Sequence, residues 1–423
     1  MKRILFSFFL MINLFASAQD FQQYFTDGSL RIDFLLFGNK DTTQASIKQL
    51  KKEPFYGGSK KNLIFPNFGT YKFVVKDADK GNIIFSKGFS PIFQEWKHTP
   101  EAKEKILTFE NVMKIPYPIV DIIVEIHERN ANGEFNKVFS EKISPKDYQI
   151  LHEATTNYKV TEIYKPTTPE KGIDIAIVAE GYTQSEIPKF IADTKRLVDY
   201  MFTIPPFSRF KDKFNIYAIE SPSQESGTDI GGEGIYKNTI LNTKFYTFGS
   251  PRYLTCQSLF KLADITSVVP YDQVYVIVNT PRYGGGGFYN VINLVSADDK
   301  LSDKVFVHEF GHGFVGLADE YYYDGDILDN TFYNYKIEPW EANITTLVNF
   351  KAKWADLVSK KTPIPTPRIP KFRDNVGAFE GGGYSSKGIF SPVQDCRMKS
   401  NEPEGFCPVC TRAIEQVIEF YTN

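Results

Sequence analysis

The 423-residue chain is too long for one small core and long enough for two domains. Its 42 % hydrophobic content argues for folded cores and against disorder. A formal net charge of −2 leaves no basic excess that would point to nucleic acid as a partner.

The first residues read as a signal peptide, residues 1–18. Lys2 and Arg3 form a positive start, Ile4 to Phe15 is mostly apolar, and Ala16-Ser17-Ala18 has the small-x-small pattern of a cleavage site. The alternative is an apolar N-terminal helix of the mature fold. Cleavage is expected after Ala18, with the mature chain secreted or periplasmic. The apolar stretch is short for a bilayer, and no later stretch suits a membrane helix, so no membrane span is expected in the mature chain.

Residues 19–152 read as a β-rich, sandwich-like domain. Leu30 to Phe37, Tyr71 to Val75 and Ile119 to Ile126 are strand-like runs. Asp79-Lys80-Gly81-Asn82 and Asn130-Ala131-Asn132-Gly133 are turn signals between such runs. His98, His127 and His152 are scattered and read as surface or satisfied histidines. Polar residues with Pro166, Pro169 and Gly172 suggest a linker over 153–172.

From 173 to 423 the pattern becomes α/β. Ile173 to Ala179 is a buried strand, and Thr183 with Glu186 makes a capping box opening a helix with Ile187, Ile191 and Val198 on one face. Phe214 to Ile219 and Gln273 to Asn279 are further apolar strands. Strands alternating with helices predict a mixed sheet. The glycine run Gly284 to Gly287 precedes a strand over Asn290 to Ser296. That strand is a candidate sheet edge on which an extended peptide could add, or else an ordinary internal strand.

A second helix starts at Ser302-Asp303 and carries His308-Glu309-Phe310-Gly311-His312. One helical turn separates the histidines, so both imidazoles leave the same face and can share one Zn²⁺ per chain. Glu309 beside them is suited to accept a proton from a water activated at the metal. The alternative is a buried polar network without metal. A catalytic zinc needs a third protein ligand, and no histidine follows His312. Gly316 can end the helix, and Asp319 follows it by three residues as the leading candidate. Glu320 is next, as a ligand or as an anchor beside one, and Glu338 and Glu341 remain open.

The four cysteines, Cys256, Cys396, Cys407 and Cys410, suit disulfides in an exported protein, with Cys396–Cys407 the favoured pair. The Cys407–Cys410 spacing alone is a weak zinc signal, because a structural zinc needs four ligands. Asp324, Asp326 and Asp329 read as a solvated acidic loop without a full calcium ligand set.

His308 to His312, followed by Gly316-Leu317-Ala318-Asp319-Glu320-Tyr321, resembles the IgA-peptidase family of bacterial zinc metallopeptidases. The resemblance extends to Ala179-Glu180-Gly181-Tyr182, Gly377 to Tyr384, Cys396-Arg397-Met398 and Phe406 to Cys410. It implies a metzincin-like α/β zinc peptidase domain with a mixed sheet, preceded by a β-rich module. It also implies zinc on His308, His312 and Asp319, with Glu309 as catalytic base. Gly316 and Asp319 each lie one residue further from His308 than the usual metzincin spacing has them. Met398 is a candidate for a methionine turn beneath the metal, or else an ordinary core residue. Ser400 stands where several metzincins carry a tyrosine, which leaves Tyr384 and Arg397 as candidate oxyanion stabilisers. The expected function is a secreted zinc endopeptidase acting on protein or peptide substrates. The competing readings are an inactive metal-containing binding or adhesion protein, and a zinc hydrolase of non-protein amides such as cell-wall links.

Overall fold

The computed structural model describes residues 21–152, 157–322 and 332–423. The expected signal peptide and the acids Asp324, Asp326 and Asp329 lie outside the described residues.

The N-terminal part is built from seven strands: β1 (Phe25–Gly38), β2 (Thr43–Glu53), β3 (Tyr71–Asp77), β4 (Ile83–Phe89), β5 (Leu107–Pro118), β6 (Ile122–Arg129) and β7 (Phe135–Ile143). A short helix, α1 (Phe21–Tyr24), precedes them, and α2 (Ile92–Trp96) follows β4. The strands make two antiparallel sheets, ordered β2-β1-β5 and β4-β3-β6-β7. Alternation places Phe34 of β1 against Phe73 of β3 and Phe89 of β4, at ring distances of 6.2 and 6.1 Å, so the inner faces pack on each other. The turns at 79–82 and 130–133 join β3 to β4 and β6 to β7, with Gly81 and Gly133 in the left-handed region. Ile119 to Asp121 belongs to the β5–β6 connection, not to β6.

The second part is organised on a six-stranded sheet, ordered β12-β13-β11-β9-β10-β8. Its strands are β8 (Lys159–Tyr164), β9 (Ile173–Glu180), β10 (Phe214–Glu220), β11 (Gln273–Val278), β12 (Gly285–Phe288) and β13 (Ile292–Ser296). The four inner strands run parallel, and β8 and β12 close the two edges antiparallel. Inner strands buried on both faces account for the apolar runs Ile175 to Ala179 of β9 and Val274 to Val278 of β11. Helices α3 (Ile187–Met201), α4 (Phe207–Phe210), α5 (Leu259–Thr266), α6 (Ser302–Phe310) and α7 (Pro408–Thr422), with a small hairpin of β14 (Phe379–Gly382) and β15 (Ser385–Ser391), complete it. The capping box forms as expected, with the Thr183 amide donating to Glu186 Oε2 at 2.8 Å.

One expectation changes and one open alternative is decided. The segment read as a linker over 153–172 contains β8, which is hydrogen-bonded to β10. Its Lys159-Val-Thr-Glu-Ile-Tyr164 sequence is mixed polar and apolar, and no residue of it is fully buried, as suits a strand at the sheet's edge. The strand read as a candidate edge, β13, is internal: β12, formed from the glycine run, pairs outside it and is the edge.

The two parts share a polar and an apolar seam. Arg31 of β1 is buried and reaches Asp264 Oδ1 at 2.7 Å and the Phe260 carbonyl at 2.9 Å on α5. Phe65 meets Phe420 of α7 at 4.7 Å, and the Ser90 amide donates to the Tyr289 carbonyl at 2.9 Å. Among the described residues no helix is long and apolar enough to cross a membrane.

Candidate active site

Helix α6 is amphipathic in a useful way. Phe306 stacks on Tyr275 of β11 at 4.2 Å, and Phe310 lies 6.5 Å from Phe214 of β10, which anchors one face on the sheet. His308, Glu309 and His312 leave the other face toward a cleft. Past Phe310 the helix widens into a π turn over Gly311–Val315 and ends at Gly316, which is left-handed at φ 75°. The Leu317 amide returns to the Gly311 carbonyl at 3.0 Å. A π turn takes up one residue more than an α turn. It therefore absorbs the extra residue in the spacing from His308 to Asp319 and brings Asp319 back under the histidines.

The result is a compact triad. His308 Nε2 and His312 Nε2 lie 3.1 Å apart, and Asp319 Oδ1 lies 3.2 Å from each. Three atoms bound at about 2.0–2.1 Å to one tetrahedral centre would stand roughly 3.3 Å apart, so the donor set fits a zinc-sized ion. The Nδ1 atoms face the Arg397 carbonyl at 2.9 Å and the Leu317 carbonyl at 2.6 Å. Donation to those carbonyls leaves both Nε2 lone pairs free to ligate. Asp319 is buried, and its Oδ1 has no hydrogen-bond donor, while its Oδ2 accepts from the Tyr384 hydroxyl at 2.6 Å. Burial alone would raise the Asp319 pKa, but the His312 and His308 imidazoles outweigh it and hold the carboxyl far below the usual range. Burial would lower His312, yet Asp319 raises it to about 9. Glu309 brings a carboxylate oxygen within 4.8 Å of the imidazole nitrogens, and burial pushes its pKa up against the pull of both histidines.

Among the described residues, none of the other carboxylates considered from sequence forms an ion pair with either histidine, although Glu341 lines the same cleft. Glu338 accepts from Thr346 and the Asn349 amide, and Glu341 accepts from Tyr333 at 3.2 Å. Glu320 turns away from the histidines toward Asn343 and Cys410. Met398 is fully buried beneath the helix; a Cβ added at Gly311 would stand 2.7 Å from its sulfur. The Met398 carbonyl accepts from the Glu320 amide at 2.7 Å, which ties this turn to the segment carrying Asp319. Arg397 is fully buried, donates to the Pro403 carbonyl at 2.5 Å and does not line the cleft.

The family model for IgA Peptidase M64 matches residues 161–373 and 368–418, and that for the Peptidase M64 N-terminus matches residues 20–140. The chain belongs to the IgA peptidase M64 family. It is therefore a metallopeptidase with a protein substrate. A comparison with curated proteins gives no match.

In this M64 peptidase the cleft above the histidines encloses about 1360 Å³. One bank comes from the peptidase sheet and its loops, including Gly285 to Gly287 of β12, Tyr253 and Tyr384. The opposite bank comes from the N-terminal part: Gln94, Glu95 and His98 on and after α2. Glu95 is hydrogen-bonded to the Tyr253 hydroxyl across the gap. Burial, opposed by Tyr253 and His312, pushes the Glu95 carboxyl up to about 7. Nothing in the sequence of α2 signals a place at the active site. His98, read as a satisfied histidine, does bond Gln94 at 3.3 Å, but it also lines the cleft.

The cysteines do not follow the disulfide expectation. All four are unpaired. Cys256 is buried alone in the peptidase part, with its thiol near the Leu241 carbonyl. Cys396, Cys407 and Cys410 instead converge as three sulfurs on one carboxylate, Glu320.

Proposed function

We propose that this chain is an exported zinc-dependent endopeptidase, with residues 1–18 removed on export and one zinc held at this site by His308, His312 and Asp319. The observation that carries the proposal is Asp319 Oδ1, equidistant from the two imidazole nitrogens and otherwise without a partner. Two neutral imidazoles and one carboxylate, with one position left toward the cleft, is a donor set suited to catalytic zinc. Packing of Met398 and the Arg397 carbonyl beneath the histidines supports a metzincin-like arrangement.

When bound, the zinc ion supplies Lewis-acid polarisation of the scissile carbonyl and acidifies water. The chain's own residues do the rest. The Arg397 and Leu317 carbonyls hold the imidazoles in one tautomer and one orientation. Tyr384 holds the Asp319 carboxylate in place from its far oxygen. Glu309, whose carboxyl burial pushes above its ordinary pKa, takes a proton from the attacking water at its carboxylate and passes it to the leaving amine. The volume of the cleft exceeds the roughly 300–1,000 Å³ typical of small-ligand sites and suits an extended peptide. Strand β12 borders it as the last strand of the sheet, with Tyr253 bridged to Gly285 on its outer side.

Glu309→Gln tests the reading. The variant is expected to keep its zinc at the histidine site and to lose peptide hydrolysis by roughly 10²–10⁴-fold, since only the proton acceptor is removed. Turnover at the wild-type rate would remove Glu309 from the mechanism. N-terminal sequencing of the exported protein is expected to begin at Gln19.

A further inference from the structure

We propose that Glu320, Cys396, Cys407 and Cys410 form a second metal site, a closed structural zinc centre that locks the segment carrying Asp319 to the turn around Met398. This goes beyond the zinc at the histidines and does not depend on it.

One ligand atom from each of these four residues lies within 4.8 Å of the others. Glu320, Cys396 and Cys410 are 0 % exposed and Cys407 is 7 % exposed. Cys396 Sγ and Cys410 Sγ stand 3.9 Å apart. Two thiolates bound at about 2.3 Å to a tetrahedral centre would be roughly 3.8 Å apart. Backbone amides are aimed at the sulfurs: Cys407 N–H at Cys396 Sγ, 3.3 Å, and Cys410 N–H at Cys407 Sγ, 3.5 Å. Such donors favour the thiolate form, which is the form that binds metal.

Glu320 supplies the independent observation. Its Oε1 accepts from Asn343 at 2.9 Å and faces Cys410 Sγ at 3.2 Å, but its Oε2 is buried with no hydrogen-bond partner. Among the described residues no cationic side chain lies within ion-pair distance of it. A cluster of inert buried thiols would need no carboxylate, and a buried carboxylate without a cation is strongly unfavourable. A disulfide between any two of the sulfurs would leave the third thiol and Glu320 unexplained. Three thiolates and one carboxylate, with no opening to solvent, select a soft, four-coordinate ion and exclude calcium and magnesium.

The site joins three stretches of chain: the residue after Asp319, the turn at Cys396 to Ser400, and the start of α7. The Glu320 amide already binds the Met398 carbonyl. Zinc here would fix both the carboxylate ligand and the floor of the histidine site.

The test uses the full mature protein, reconstituted with zinc or with cobalt(II) alone under anaerobic conditions. Two zinc ions per chain are expected. His308→Ala combined with His312→Ala is expected to keep one, whereas Glu309→Gln keeps both. The cobalt protein should show thiolate-to-cobalt charge transfer in the near ultraviolet, unchanged in the double histidine variant and weakened in Glu320→Gln. Because cobalt spectra of the wild-type protein need no cysteine variant to fold, they decide the matter alone. Absence of the charge-transfer band, or an intact mass two hydrogens light from a disulfide among these cysteines, would overturn the proposal and leave the histidine site untouched. Loss of the histidine-site zinc with the cobalt–thiolate band retained would overturn only the peptidase assignment.

Discussion

Tyr384→Phe isolates the hydrogen bond that holds the proposed third ligand. Phenylalanine keeps the ring, and with it the edge contact to Tyr321 at 5.4 Å, but removes the hydroxyl that donates to Asp319 Oδ2 at 2.6 Å. A hydrogen bond to a charged, buried acceptor contributes about 1.5–3 kcal/mol. If that stabilisation acts on the metal-binding conformation of Asp319, zinc affinity falls by roughly 10–100-fold, the range seen when partners of ligand groups are lost. The two figures agree, since tenfold is about 1.4 kcal/mol. Competitive titration of the histidine-site zinc against a chelator measures the loss. At saturating zinc, kcat is expected to recover most of its wild-type value, because the hydroxyl acts through Asp319. Unchanged zinc affinity with a large fall in kcat would refute this reasoning and make Tyr384 a group that touches the substrate.

Gly285→Ala would place a Cβ 2.6 Å from Glu309 Oε1 and 2.7 Å from Val305, so Glu309 must move; kcat is expected to fall about 10–100-fold with zinc content unchanged, and wild-type kinetics would contradict the packing. In the metal-free protein His312 has its pKa raised to about 9, above the ordinary value, so its contribution to stability is complete below about pH 6.5 and is lost as pH rises through 9. Melting of metal-free protein should therefore weaken across that window, and His312→Gln should flatten the dependence; a wild-type melting temperature that rises with pH there would reverse the sign. Arg31→Met leaves the buried Asp33 without its cation at 2.6 Å, while Asp264 keeps Lys51, and should cost about 3–5 kcal/mol in denaturant unfolding. A loss under about 1 kcal/mol would show that the seam between the two parts does not depend on it.

Sequence reading reached what periodicity and local spacing encode. The inner strands β9, β10, β11 and β13 are apolar on both faces, and α6 carries its histidines one turn apart, so both announce themselves. Strands β2 and β7 escaped notice because Thr43–Glu53 and Phe135–Ile143 are largely solvent-facing and polar. Strand β12 escaped because Gly285-Gly286-Gly287-Phe288 has no β propensity; its glycines are there for room, since a Cβ at Gly287 would meet the Glu309 carbonyl at 2.4 Å. The spacing to Asp319 looked irregular only because a π turn cannot be told from an α turn by residue type. Glu320 among the cysteines was hidden for another reason: its partner Cys410 is 90 residues further along, and only the tertiary fold makes the carboxylate their neighbour.

Helix α2 lies in the segment matched by the M64 N-terminus model and the histidines in the segment matched by the peptidase model, yet both line one cleft. The wall of that cleft is therefore shared between two stretches of chain far apart in sequence, and neither stretch alone supplies the whole lining. Changes that alter what is cut can accumulate around Gln94, Glu95 and His98 without disturbing the scaffold that does the cutting.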